Sequence, residues 1–260
     1  MSHFAFLSFL FFLLPKMVFA SSGFTFLGPV AHQLHIPEQV LTFTLVAVFI
    51  LILGVIYKMV MAGKKESDLP DKGITFRNVI ELFGQFIYDQ TKSIIGEKEG
   101  PKYFSFVGGI FLLIFLSNLI GLIPGFIPPT ENLNTTLALG LISFAYYNLH
   151  GCKTQGTINY LKHFLGPLWY MAILIGPIEI ISNSVRPISL AFRLRGNMFG
   201  DHLVIEIFGQ LAPYIVPVIF MILGLLVSFI QAYVFTVLSM VYIGLATEHH
   251  DHDEEGHAAH

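Results

Sequence analysis

Long apolar stretches separated by short polar connectors run along most of this chain. The first covers residues 37–61, the second 103–123 and the third 134–149. A still longer apolar tract follows residue 164, and its prolines divide it into two long, tilted or broken helices, 166–211 and 214–246. Since a hydrocarbon core of about 30 Å is crossed by about 20 helical residues, the pattern predicts five transmembrane helices.

Residues 75–95 follow a different pattern, in which apolar and charged positions recur at helical spacing. The apolar positions are Phe76, Val79, Ile80, Phe83, Ile87, Ile94 and Ile95, and the polar ones are Arg77, Glu81, Gln85, Asp89 and Lys92. This pattern is typical of a helix that lies at the membrane interface. We therefore predict an all-α integral membrane protein with five transmembrane helices and one interfacial amphipathic helix, in which the last two helices form a hairpin.

The composition agrees with a membrane protein and excludes several other classes. Hydrophobic residues make up 54% of the chain and charged residues 12%, about half the charged fraction of a soluble domain. The net charge of -3, without a basic block, gives no sign of nucleic-acid binding. Cys152 is the only cysteine, so no intrachain disulfide or paired-cysteine metal motif exists, and we expect neither a metal nor a cofactor.

The two ends differ from the central membrane domain, which we place at residues 21–246. Residues 1–20 resemble a signal peptide, although Pro15 and Lys16 interrupt the apolar run and no basic residue precedes it, so an uncleaved hydrophobic segment is the alternative. Residues 247–260 form an acidic, His-rich tail that we expect to be solvated.

Basic residues predict the orientation of the chain. Lys64 and Lys65 follow the first transmembrane stretch, with Lys58 near its end, and Lys153 and Lys162 lie in the connector near residues 150–163. By the positive-inside rule both connectors face the cytoplasm. We expect a multi-pass protein of the bacterial inner membrane, rather than the mitochondrial one, with the mature N-terminus outside and the C-terminal tail also placed outside.

A line of polar residues crosses the fourth predicted transmembrane helix. An arginine at hydrocarbon depth costs about 2.5 to 3.5 kcal/mol and does not readily lose its proton. On an α-helix, Glu179, Arg186, Arg193 and Asn197 lie within about 40° of one another, with Asn183 and Ser189 near the margins and Arg195 turned away. The next helix presents Ser228, Gln231, Ser239 and Tyr242 on one face. Two polar faces in a hairpin predict a water-accessible path.

These residues carry a family resemblance. The segment around Arg193, with Asn197 and His202 after it and Gln231 in SFIQAYVFTVLSMVYIGLA, resembles the a subunit of rotary F-type ATP synthases. The resemblance covers about residues 37–246. It implies a non-catalytic, proton-translocating stator subunit of the Fo sector, whose last two helices lie against the c ring. The other implied partners are the b-subunit peripheral stalk, the F1 sector indirectly, and the lipid bilayer.

The resemblance also implies roles for individual residues. Arg193 matches the essential arginine, which separates two aqueous half-channels, interacts with the c-ring carboxylate and so couples ion flow to ATP synthesis. We assign Asn197, His202 and Gln231 to the outer half-channel. The inner half-channel takes Glu179, Asn183, Arg186 and Ser189. An intramembrane Glu179–Arg186 ion pair, a structural His202 and a purely interhelical hydrogen bond of Gln231 are the simpler alternatives.

Two positions depart from the family pattern. Gly224 stands where members often carry a second ionisable group beside the position of His202. Glu206 or Asp201 could replace that group, and Glu131 in the outer loop is a less favoured candidate. Arg195 stands at a usually apolar position, where it would reach an interface or pair with a carboxylate.

Two other functional classes fit some of these features. An ion or solute secondary transporter would also use intramembrane arginine and histidine, but it would work without a rotary ring and no internal repeat is evident. An intramembrane enzyme would pair His202 with Ser228 or Ser239, yet no nucleophile motif surrounds either serine.

Overall fold

A computed structural model describes residues 25–62, 75–123, 125–156, 172–211 and 216–247, and these contain helices and no strand. The segment 1–20 and the tail after Thr247 lie outside the described residues. Seven α-helices occur in the described ranges: α1 (Gly28–Leu34), α2 (Glu38–Ala62), α3 (Phe76–Ile95), α4 (Gly100–Gly121), α5 (Leu133–Gln155), α6 (Ala172–Leu211) and α7 (Val216–Thr247). A short 3-10 helix, Pro129–Glu131, lies between α4 and α5.

The six longer helices lie where the hydrophobic pattern predicts helices, and the short α1 is additional. α6 remains one continuous helix of 40 residues although Pro177 and Pro187 lie inside it. A proline inside a helix removes one backbone hydrogen bond, a loss that neighbouring helices can compensate in a membrane. At 1.5 Å per residue α6 is about 60 Å long and α7 about 48 Å, so both exceed a hydrocarbon core of about 30 Å.

Three of the helices are long and apolar enough to cross a membrane. These segments are Glu38–Met59 of α2, Gly100–Gly121 of α4 and Val218–Thr247 of α7. α5 and α6 contain more polar residues, because they carry most of the side chains described below. Within its described ranges the chain is thus an all-helical membrane protein with three clearly apolar spans.

The core forms where α4, α5, α6 and α7 meet, with α3 packed against α4 and α7. Phe111 and Ile114 of α4, Leu194 of α6 and Phe235 of α7 are buried there. α5 and α6 cross closely at Gly140, where an added Cβ would lie 2.6 Å from the carbonyl oxygen of Pro187. This packing leaves one long face of α6 and α7 uncovered by the rest of the described chain.

The first and last described helices end on opposite sides of the bundle. The Phe26 amide donates to the Gly125 carbonyl at 3.0 Å, in the α4–α5 loop, and we call this side the loop end. At the other side, the Gln155 side chain donates to the Ala246 carbonyl at 3.2 Å, where α5 and α7 end together. We call that side the connector end, because Lys153 lies there and the polar connector follows this helix in the sequence.

This arrangement bears on the orientation expected from the sequence, which places both ends of the mature chain outside. The described residues begin at the loop end and finish at the connector end. An odd number of helices crossing the bundle would separate the two ends in this way. A cytoplasmic connector end would place Thr247 on the cytoplasmic side.

Candidate functional site

Arg193 lies on the uncovered face of α6. Leu190, Leu194 and Met198 point into the core, whereas Arg193 and Asn197 are exposed. In the described part of the chain Arg193 has no hydrogen-bond or ion-pair partner. Several neighbouring exposed side chains on this helix are large and apolar, among them Ile188, Phe192 and Phe199. The face therefore presents an unpaired cation in a largely apolar surface.

Asn197 connects this face to α7. Its side-chain Nδ2 donates to Oε1 of Gln231 at 2.6 Å. Gln231 is 4% exposed, so the amide is almost completely withdrawn from solvent. The two polar faces predicted for the last two long helices thus meet through a direct hydrogen bond, one turn of α6 away from Arg193.

His202 lies nearer the loop end and contacts two oxygen atoms. Its Nδ1 is 3.2 Å from Oε2 of Glu131, and its Nε2 is 3.0 Å from the Gly121 carbonyl oxygen. The Gly121 carbonyl belongs to the last turn of α4, where backbone carbonyls lack intrahelical partners. Both side chains are partly exposed, His202 at 27% and Glu131 at 31%. The contact therefore joins a titratable pair at a place that solvent reaches.

The three carboxylates considered as partners for His202 differ in position. Glu131 contacts His202 directly, although it is the less favoured candidate from the sequence. Asp201 has a buried Oδ2 without a hydrogen-bond partner among the described residues. Glu206 lies on α6, but its side chain is outside the described part of the structure. Glu131 and His202 are far apart in the sequence, so no local pattern predicts their contact.

The position of Gly224 on α7 is filled by a neighbouring apolar side chain. A Cβ added at Gly224 would lie 2.7 Å from Cδ2 of Leu122, directly after α4. Leu122 therefore packs against the backbone of α7 at Gly224, and a larger residue there would require the flexible end of the Leu122 side chain to shift.

Arg195 points away from Arg193, as the helical projection predicts. Its Nε donates to the backbone carbonyl of Glu131 at 3.2 Å. The expected alternatives were an interfacial position or a carboxylate partner, and the structure instead gives a backbone oxygen of the 3-10 turn. Arg195 and His202 consequently hold the same residue, Glu131, through its backbone and its carboxylate.

A second polar cluster lies on α6 toward the connector end. The Tyr147 hydroxyl donates to Oδ1 of Asn183 at 2.6 Å, and Nδ2 of Asn183 donates to Oδ1 of Asn148 at 3.4 Å. The guanidinium of Arg186 lies 4.9 Å from the ring centroid of Tyr242. Tyr147 and Asn148 were not predicted, because α5 showed no charged residue to mark its inward face.

The remaining predicted residues at this end are less constrained. Glu179 is half-buried and Ser189 is exposed. Glu179 and Arg186 form no ion pair in the described residues, and Arg186 contacts an aromatic ring instead. Ser239 is hydrogen-bonded to Ser143 at 2.9 Å, across α5 and α7. The site around Arg186 is therefore a network of neutral polar groups with one cation against a ring.

Several buried polar atoms on α4 and α7 lack protein partners. Among the described residues these are Oγ of Ser117, Nδ2 of Asn118 and Oγ of Ser228. Asn118 accepts a hydrogen bond from the Thr130 hydroxyl at 2.7 Å through its other side-chain atom, Oδ1. Buried polar atoms are normally satisfied by protein or by ordered water, so such a group of atoms is a suitable environment for water.

The described residues offer no support for a serine nucleophile or a metal centre. His202 contacts Glu131 and Gly121 rather than Ser228 or Ser239. Within the described ranges no cluster of three His, Cys, Asp or Glu residues could hold a metal ion. The polar groups are arranged along helices, at several depths, rather than around one reacting atom.

Comparison with known proteins identifies the family. The ATP synthase A chain family matches residues 41–244. ATP synthase subunit a of Bdellovibrio bacteriovorus is 44% identical over 191 residues, which cover 73% of this chain and 82% of the relative. The subunit a of Sorangium cellulosum is 39% identical over 230 residues, covering 88% and 90%. That of Geobacter sulfurreducens is 48% identical over 167 residues, covering 64% and 72%.

The chain belongs to the ATP synthase subunit a family. Membership assigns it to the proton-translocating, non-catalytic part of the membrane sector, within a multi-subunit complex of the bacterial plasma membrane. The matched range runs from within α2 to within α7 and includes all of the polar residues above, whereas α1 lies before it. ATP synthesis and proton transport are therefore the processes in which this subunit takes part.

Proposed function

We propose that this subunit conducts protons through two aqueous half-channels separated by Arg193, and that Arg193 faces a carboxylate on the ring of c subunits. The observation that supports this most strongly is the unpaired, exposed Arg193 on an apolar face of α6. A cation in such a surface needs an anionic partner from another protein chain, because lipid cannot supply a buried counter-charge cheaply.

The physical role of Arg193 follows from its charge. A fixed guanidinium favours the ionised form of an approaching carboxylate and so promotes release of its proton. The same charge opposes the passage of a proton directly across its position. Arg193 would therefore both discharge the ring carboxylate and separate the two half-channels.

The arrangement of polar clusters along α6 supports two half-channels. His202 lies nine positions after Arg193, about 14 Å along the helix, and Asn183 lies ten positions before it, about 15 Å in the other direction. We assign His202, Asn197 and Gln231 to the half-channel that opens at the loop end. Asn183, Arg186, Glu179 and Ser189 line the half-channel that opens at the connector end.

Water must connect the side chains of the loop-end half-channel if protons are to move between them. The partnerless polar atoms of Ser117, Asn118 and Ser228 lie on α4 and α7, which pack against each other. Ordered water that satisfies such atoms also supplies the hydrogen-bonded links by which a proton can move. These atoms support a hydrated path between His202 and Gln231.

The orientation follows from the basic connector. With Lys153 on the cytoplasmic side, the connector end faces the cytoplasm and the loop end faces outward. α2, α4, α5, α6 and α7 would then be the five membrane-crossing helices, with α3 at the cytoplasmic interface and α6 and α7 as a tilted hairpin against the ring. The b-subunit stalk and, indirectly, the F1 sector complete the expected set of partners.

Purification in mild detergent tests this function against the alternative of a secondary transporter without a ring. Our proposal predicts that the chain co-purifies with a c ring and stalk subunits, and that reconstituted vesicles acidify when ATP is added. A stable, isolated chain that transports an ion or solute in vesicles without c subunits would contradict it.

A further inference from the structure

Three residues around His202 lie close together. Gly224 and Arg195 are the two positions that depart from the family pattern, and Glu131 supplies a carboxylate in the α4–α5 loop. The structure connects them, because Glu131 contacts His202 through its carboxylate and Arg195 through its backbone carbonyl. Leu122, next to Gly121, occupies the space beside Gly224.

We propose that Glu131 is the proton-exchanging partner of His202 in this chain, and that Arg195 positions Glu131 for that contact. The carboxylate thus comes from the loop rather than from the Gly224 position of α7. This inference rests on the proposed function, since it names the residue that transfers protons to His202 in the loop-end half-channel.

The 3-10 turn that carries Glu131 is held on two sides. Thr130 is completely buried and donates its hydroxyl hydrogen bond to Asn118 at 2.7 Å. Arg195 donates to the Glu131 carbonyl at 3.2 Å from α6. Pro129 begins the turn, and its ring restricts the backbone there. The position of the Glu131 side chain is therefore fixed by α4 and α6 rather than left to a free loop.

The contact geometry suits proton exchange. Both ring nitrogens of His202 face oxygen acceptors, one a carboxylate and one a backbone carbonyl. A protonated imidazole donates to both, whereas the neutral ring donates to only one of them. A proton held on Oε2 of Glu131 can move to Nδ1 along the existing 3.2 Å contact. The O–H bond then breaks as the N–H bond forms, and the carboxylate regains its negative charge.

Solvent reaches the Glu131–His202 pair, and few other carboxylates lie near His202 in the described residues. Each side chain is about one third exposed or less, so water at the loop end can reach it without bulk solvent surrounding it. The other carboxylate close to His202 in the described residues is Asp201, next to it on α6, and its buried Oδ2 has no hydrogen-bond partner there. Glu131 is therefore the better placed of the two to exchange protons with incoming water.

The experiment compares variants of the whole ATP synthase in inverted membrane vesicles, with ATP-driven acidification as the readout. Glu131→Gln keeps the size of the side chain but cannot carry a transferable proton, and we expect acidification to fall about tenfold or more. Glu131→Asp should retain most of the rate. Glu97→Gln is the matched control, because Glu97 is an exposed carboxylate in the turn between α3 and α4.

A double variant that moves the carboxylate from position 131 to α7 distinguishes a proton-exchanging role of Glu131 from a structural one. Adding Gly224→Glu to Glu131→Gln returns a carboxylate to α7, where it needs only the flexible end of Leu122 to shift. We expect this double variant to recover at least a few-fold of the lost rate. Such a recovery would not follow if Glu131 served only to hold the loop.

Arg195 is tested through its dependence on Glu131. Arg195→Leu should lower acidification by a few-fold, Arg195→Lys should restore part of it, and Arg195→Leu should cause no further loss in the Glu131→Gln background. Normal acidification by Glu131→Gln, with Arg193→Ala inactive in the same vesicles, would overturn this inference while leaving the proposed function intact. Normal acidification by Arg193→Ala would instead contradict the proposed function.

Discussion

At the scale of single residues, the environment of His202 is defined by two oxygen acceptors rather than by its own helix. The partner carboxylate comes from Glu131, 3.2 Å away. Two carboxylates at that separation would compete for one proton, because like charges disfavour each other's ionisation. The pair therefore needs one imidazole and one carboxylate, but either position can supply either group.

Exchanging the two groups is the corresponding prediction. His202→Glu alone should lower ATP-driven acidification, because it places two carboxylates face to face. The exchange variant, His202→Glu with Glu131→His, should be several-fold faster than His202→Glu. Equal rates for the single and the double variant would show that the two residues act independently.

The hydrogen bond between Asn197 and Gln231 gives a second prediction at this scale. Gln231 is buried, so removing Asn197 leaves an amide without its partner. Asn197→Leu and Gln231→Leu should each destabilise the complex, and the double variant should be less destabilised than their sum by about 0.5 to 2 kcal/mol. Thermal unfolding of the purified complex measures this coupling; strict additivity of the two effects would argue against the bond.

Several of these residues are predicted from the sequence, but Glu131 is not the preferred partner of His202 there and Tyr147 is not predicted, for a physical reason. Helical periodicity is local, so it places Arg193 and Asn197 on one face and turns Arg195 away from them. The contacts of His202 and Asn183 depend on which helix or loop packs opposite, and nothing local in the sequence encodes Glu131 or Tyr147 as that neighbour. The sequence therefore predicts the polar face, and the tertiary packing decides what it contacts.

At the scale of the helices, the length of the apolar stretches predicts the positions of the helices well. The predicted stretches coincide closely with α2 to α7, because an apolar run of membrane length has few alternatives to a helix. The continuation of α6 as one helix through Pro177 and Pro187 was less predictable from the sequence. It depends on support from neighbours such as α5, which approaches α6 at Gly140.

The crossing at Gly140 predicts a sensitive position. Gly140→Ala should push α5 away from α6, since its Cβ would lie 2.6 Å from a backbone oxygen that has no side-chain freedom. We expect a destabilisation of about 1 to 3 kcal/mol. Gly109→Ala on α4 is the control, because its Cβ meets nothing within 4 Å. Thermal unfolding of the purified complex compares the two, and equal stabilities would contradict this description of the crossing.

At the scale of the whole molecule, the bundle has two distinct ends. Phe26 and Glu131 lie at the loop end, whereas Gln155 and Ala246 meet at the connector end. From the sequence we expect the basic connectors on the cytoplasmic side and the C-terminal tail outside, whereas the described residues begin at the loop end and finish at the connector end.

Cysteine labelling tests this orientation. We expect a membrane-impermeant maleimide to label His32→Cys in intact spheroplasts, in a Cys152→Ser background, since His32 is exposed at the loop end. Native Cys152, near the end of α5, should react only in inverted vesicles. Labelling of both positions from the same side would refute the opposed ends of the bundle.

The central claim is that Arg193 both separates the two half-channels and drives proton release from the ring. The most direct test is Arg193→Ala in assembled ATP synthase, with Ser184→Ala, an exposed position on the same helix, as the control. We predict that ATP-driven acidification is lost, while passive proton leak through F1-stripped vesicles rises above that of the control. Normal ATP-driven acidification with an unchanged leak would contradict the claim.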